Sequence, residues 1–370
     1  MTFKPLNEND IVNTRTLLHE AIPITGSIVS GSYVDTTVTP YEPTNLKSYA
    51  HGMFQTVYDY NYLSSSANHI FDVTCGISSR SSLTIATTTT AMETKKNNIY
   101  GQMSQLLMGY DLTGSVNLFD QDGDLYGTTA DKMTDVLVIP FSRLLVKDEI
   151  KKETFSMVLD MAEFGNAADG WSQDFAAADL VTIEDTGAST EYRVNSPVGE
   201  YGILYATGTP IASAPAKCGL IYYQAGIVVL DARLFTNDAS YTGGLLLSAV
   251  ADFYDGKSIV DSLQEDSIST IGNGLLHRIQ NIQFNNTTEL NSTVYFCRVN
   301  HNEFNYSSNP TYLENSRIRV KTQSTDEPVS YITTVGLYND RNELLATAKL
   351  SEALKKSPST EFTIRARLDY

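Results

Sequence analysis

Cysteine is scarce in this 370-residue chain, and the three present, Cys75, Cys218 and Cys297, lie far apart with no CxxC pair among them. That argues against a disulfide framework or a thiolate zinc site, and three buried thiols are the plain reading. Charge is thin as well, at 19% of residues against 42% hydrophobic, a balance that argues against long disorder and predicts a folded core. The charge present is one-sided. With 26 basic and 43 acidic residues the net charge is −17, which disfavours a general affinity for nucleic acid or an anionic membrane surface and suits a basic neighbour better. No run approaches the roughly 18 apolar residues of a membrane helix, and the N-terminus lacks the apolar core of a signal peptide, so a protein made in the cytoplasm is expected. Tryptophan occurs once, at Trp171, whereas tyrosine occurs 22 times, and tyrosine suits surfaces half buried between subunits.

A chain of this length is expected to form more than one subdomain. Ile11, Leu17, Leu18 and Ala21 suggest a short helix ended by Pro23. Leu46, Tyr49, Ala50, Met53 and Val57 fall on one face of a 3.6-residue period, as do Ile99, Met103, Leu106, Leu107 and Tyr110, so both stretches are read as core-facing helices. From TFSMVLDM onwards the period becomes two, with Phe155, Met157, Leu159 and Met161 on one side of a strand. Residues 162–262, richer in small and polar types, carry the strand-like runs GEYGILYA and CGLIYYQAGIVVLDARLF and are read as a middle, mainly β subdomain, consecutive with its neighbours or inserted between them. A helix is expected over 268–279, with GNG at 272–274 as a bend. YITTVGLY and ELLATAKL form a hairpin across NDRN, and EFTIRARLDY alternates as a final strand. The resulting expectation is a mixed, β-rich α+β chain of three regions, 1–161, 162–262 and 263–370, with a few helices in the N-terminal half and an antiparallel β-meander at the C-terminus.

Motifs for chemistry are weak. Asp120, Asp122 and Asp124 beside Gly123 could gather around calcium, but Leu125 and Asp131 depart from the EF-hand pattern, and a solvated acidic turn is preferred. The five histidines show no paired ligand spacing, and no nucleophile elbow or phosphate-binding loop is present. A carboxylate pair drawn from distant positions stays open, with no basis for choosing two residues. No catalytic, cofactor-binding or metal residue is assigned. The sequons at Asn286 and Asn291 read as polar loop. On the last strand, Arg365 and Arg367 occupy the polar face and are candidates for contact with an acidic neighbour, with solvated arginines as the equal alternative.

The segments VYFCRVNHNEFNYSSNPTYL and YITTVGLYNDRNELLATAKLS resemble the C-terminal part of virion structural proteins from large contractile-tailed phages, especially those of marine cyanophages. SYAHGMFQTVYDYNYLSSSANHIFDVTCG and FSRLLVKDEIKKETFSMVL look like the N-terminal half of the same group. The resemblance implies a non-enzymatic structural subunit of the baseplate wedge or adjoining tail, located in the virion and assembled in the host cytoplasm. It implies no cofactor. Its partners would be other virion proteins, in multiple copies within a symmetric assembly, with no nucleic acid and no membrane span. A receptor-binding or fibre-attachment module built on residues 162–262 is the alternative, and a cell-wall or polysaccharide hydrolase a more distant one.

Overall fold

A computed structural model describes residues 3–24, 34–35, 42–83, 90–125, 131–141, 144–145, 149–162, 176–237, 243–247, 253–254, 256–307, 309–315, 317–319, 321 and 323–370. The chain is β-rich with a few helices, and it divides into two compact units. The larger comprises residues 19–288, and the smaller joins residues 1–18 to 289–370. This division falls elsewhere than the boundaries read from composition. Strands from the 162–262 segment lie in the interior of the larger unit's sheet, between strands from both flanking regions, and do not form a body of their own.

The larger unit is organised by one antiparallel sheet. Its order runs from residues 279–283 through Ser156–Asp160, Leu180–Glu184, Gly199–Thr207, Ala216–Tyr222, Ile227–Asp231, Asp135–Pro140, His69–Ile77 and Gln55–Tyr58 to Leu46–Ser48. The central strands read DVLVIP and IVVLD, apolar almost without alternation, because both faces of the sheet are covered. Val136 and Val138 share one core with Val229, Leu220 and Tyr222, while Leu137 and Ile139 share another with Val228, Leu230 and Ile221. Tyr100 and Leu107 of the helix Ala91–Leu107 join the first core. Leu263, from Ile259–Glu265, and Ile271 and Leu275, from Ile268–Arg278, join the second. The expected strand at 155–161 is present as Ser156–Asp160, with Phe155, Met157 and Leu159 buried.

The helix Ala91–Leu107 contains the predicted stripe, with Ile99 and Leu107 buried, although Leu106 and Tyr110 face solvent. It starts at the end of the Thr-rich run, where Thr90 accepts from Glu93 N at 3.1 Å, a capping arrangement set by the TxxE spacing. Ile268–Arg278 is continuous through 272–274, so GNG is no bend. A Cβ at position 272 would stand 2.1 Å from Gln55 Oε1, and the missing side chain lets the helix lie close to the Gln55–Tyr58 strand.

Two predicted helices are strands. Residues 11–24 form the strand Ile11–Ile24, since the IVNTRT start, with four β-branched residues of six, favours extended backbone and its apolar positions make no continuous helical face. The strand stands at the end of the sheet order, where proline is tolerated. Residues 46–57 form Leu46–Ser48 and Gln55–Tyr58, and their helical spacing is coincidental. Gly52 at φ +61° turns the chain between them, and His51 Nδ1 accepts from Met53 N at 3.0 Å. The sequons belong to the strand Ile279–Val299, where Asn286 is buried, and not to a loop.

In the smaller unit, the later part of Ile279–Val299 pairs antiparallel with Phe362–Asp369, from Ser292↔Asp369 to Val299↔Phe362. The predicted hairpin is present as Ser330–Tyr338 and Leu344–Lys356 in a separate two-stranded sheet. Asn339 Oδ1 closes its turn by accepting from Arg341 N at 3.0 Å and Glu343 N at 2.8 Å.

Candidate functional site

The smaller unit is held by polar ties in place of a core. Both hydrophobic clusters lie wholly in the larger unit. Among the described residues of the smaller unit only four hydrophobic side chains are buried, Val294, Val299, Ile364 and Ala366, against six polar ones. Asp10 and Arg298 pair at 2.5 Å, and that guanidinium holds the Asp10 carboxyl below its usual range. Lys4 reaches Glu303 at 2.5 Å, Thr293 Oγ1 donates to Asn13 Oδ1 at 2.8 Å, and Phe3 meets Tyr338 edge-on at 4.8 Å between ring centres. Residues 1–18 are thereby joined to the C-terminal segment, which no local pattern could have announced.

The hairpin is the most exposed part of this unit. Of its nine and thirteen strand residues, only Ser330 and Lys356, paired at the base, are buried. Lys356 anchors that base by donating to Asn305 Oδ1 at 2.7 Å, Ser357 O at 2.7 Å and His301 O at 3.1 Å. Beyond it Tyr331, Leu344 and Leu345 stand in solvent, Leu345 at 68%. Fourteen of the twenty-three exposed large hydrophobic side chains among the described residues belong to the smaller unit, which has 100 of the 370 residues.

Arg365 and Arg367 both lie on the exposed face of the last strand, as the alternation predicts, with Ile364 and Ala366 buried behind them. Their surroundings differ. Arg367 donates to Asp369 Oδ1 at 2.6 Å and to Ser292 Oγ at 2.9 Å, whereas Arg365 has no hydrogen-bond partner among the described residues. Of the two candidates, Arg367 is the one tied within the chain.

The acidic turn at 120–124 is not simply solvated. Asp120 is fully buried, and its Oδ2 accepts from Lys132 Nζ and from Leu125 N, both at 2.8 Å. Burial raises its pKa, against the opposing pull of Lys132. Arg193 Nε donates to Asp122 O at 3.1 Å, and Lys217 lies 3.8 Å from Asp122 Oδ2. One oxygen from each of Asp120, Asp122 and Asp124 lies within 4.8 Å of the others. Three basic side chains stand around the group, and of the three carboxylates only Asp120 is buried, with Asp122 half-buried and Asp124 exposed.

A polar cleft of about 200 Å³ is lined by Glu153, Ser156, Glu184, Asp185 and Gln283, among others. Asp185 accepts from Glu153 N at 2.7 Å, Phe155 N at 3.1 Å and Tyr223 Oη at 3.1 Å, and burial pushes its pKa up to about 6. Glu153, at φ +64°, accepts from the Ser189 amide and hydroxyl. Both carboxylates are engaged in fixing the 151–155 turn, which no sequence motif marks.

Cys75 and Cys218 are buried and Cys297 half-buried, and burial pushes the Cys75 thiol up to about 12, well away from nucleophilic use at neutral pH. No helix among the described residues is long and apolar enough to cross a membrane. No family model, no curated protein and no solved structure matches the chain.

Proposed function

We propose that this chain is a non-enzymatic structural subunit of a tailed-phage particle, located in the baseplate wedge or adjoining tail and acting through protein–protein contacts within a symmetric assembly. The observation that carries the contact role is the smaller unit, which has polar ties, little buried apolar surface and an uncovered hairpin. A two-stranded hairpin is marginal in water and gains stability when another surface covers it. The particle itself is supplied by the resemblance of residues 48–76, 141–159, 294–313 and 331–351 to virion structural proteins. In this reading the partners are other virion proteins, with neither nucleic acid nor membrane, and the chain reaches the virion from the host cytoplasm without a cofactor. Quantitative mass spectrometry of purified particles tests the proposal. The chain is expected in a fixed ratio to the tail proteins, and its absence from particles would remove the reading.

A further inference from the structure

We infer that the hairpin Ser330–Tyr338 with Leu344–Lys356 is the surface through which one copy of this chain binds a second copy, hairpin to hairpin. The inference rests on the structural role proposed above and names the partner for it.

Charge decides which occupant fits. The smaller unit contains twelve basic and twelve acidic residues and is neutral, whereas the larger contains fourteen and thirty-one and carries the whole net charge of −17. Two copies meeting through their larger units would bring together two bodies of like net charge. A neutral surface carrying both signs is compatible with its own copy, because each charge finds its opposite there. The hairpin has this composition. Above the base, Lys349 and Lys355 stand on the same strand as Glu352, and the turn carries Asp340, Arg341 and Glu343. An acidic or basic partner would be matched better by a surface of one sign.

Geometry agrees with charge. The hairpin forms a sheet of only two strands, so each strand has one edge with no neighbouring strand among the described residues, and neither strand buries a residue beyond the base. Exposed strand edges pair readily with further strands. Tyr331 and Leu345, both more than half exposed, supply apolar area, and a two-fold arrangement would use each of them twice.

Sedimentation velocity of the purified full chain over a concentration series tests the inference. A reversible oligomer is expected, with Tyr331→Ser plus Leu345→Ser weakening self-association by about tenfold or more, equivalent to about 1.4 kcal/mol, at an unchanged melting temperature. A wild-type chain that stays monomeric at about 0.1 mM, or an oligomer indifferent to the double substitution, would overturn the inference. A monomeric chain found in fixed ratio in particles would end this inference while leaving the proposed structural role standing. Absence from particles would end that role.

Discussion

The two units reach order by different means. The larger covers both faces of a broad sheet with apolar side chains, so Val138 and Leu137, adjacent in sequence, serve separate cores. The smaller relies on Asp10–Arg298, Lys4–Glu303 and Lys356 with its three acceptors, and fourteen of its large apolar side chains stand exposed. Exposed ion pairs contribute little, at most about 1 kcal/mol each, whereas burying one large apolar side chain contributes about 1.5–3 kcal/mol. The first unit therefore draws on a buried apolar core, whereas the second has little buried apolar area to draw on.

The largest effect should come from breaking the self-sufficient side. Leu107 is fully buried, and Leu107→Asp leaves an unpaired charge in a core. A loss of about 3–5 kcal/mol and of soluble folded protein is expected, read by thermal unfolding. An unchanged melting temperature would remove Leu107 from the core. The matched substitution Leu345→Asp on the hairpin should leave that melting temperature as it was.

Deleting residues 361–370 should have an intermediate effect confined to the smaller unit. The strict alternation of the last strand suggests a heavily buried face, but Phe362 and Leu368 are only half-buried and Tyr370 is 75% exposed. The deletion removes the buried side chains of Ile364 and Ala366 and uncovers Val294 and Val299 on the neighbouring strand. Amide exchange should accelerate at 292–299 and stay unchanged at 135–140. Global unfolding of the deletion variant would show that the larger unit depends on the smaller.

Acid should separate the units by sign. Asp10, Glu303, Glu361 and Asp369 have lowered pKa values through their hydrogen-bonding partners, so their contribution is present above the ordinary values of 3.8 and 4.5 and is lost as pH falls through the depressed ones. Asp185 is raised to about 6 by burial, so its protonation favours the folded larger unit as pH falls from about 6 towards 3.8. Chemical denaturation at several pH values should show the larger unit gaining slightly over that interval, and Asp185→Asn should abolish the gain. The smaller unit should loosen only below it. Loosening of both units together near pH 6 would contradict this assignment.

The parts of this fold legible in the sequence are those where one periodicity dominated. Alternation marked Ser156–Asp160 and Phe362–Asp369, and the stripe from Ile99 to Leu107 marked its helix. Residues 46–57 misled because five apolar positions met a helical spacing while Gly52 and the β-favouring QTVY placed the chain in two strands. The exposed arginine face was legible, but the division between a tied Arg367 and a free Arg365 was not, since it depends on Ser292, 75 residues away. The joining of residues 1–18 to 289–370 was likewise hidden, because it arises from contacts almost a chain length apart.

The smallest effect on stability is expected from that arginine pair. Arg365→Glu should leave unfolding unchanged and Arg367→Glu should lower stability by no more than about 1 kcal/mol, the range of an exposed ion pair. If Arg365 contacts an acidic neighbour, its substitution should impair incorporation into particles more than the Arg367 change does. Normal incorporation of Arg365→Glu would sink that contact.

The contrast between the units is tested most directly by amide hydrogen exchange on the full chain, measured free at low concentration and again in assembled particles. In the free chain the strands at 135–140 and 227–231 should exchange slowly and the hairpin at 330–356 quickly, and assembly should slow the hairpin by orders of magnitude while leaving the central strands unchanged. A hairpin as protected in the free chain as those central strands would contradict the account.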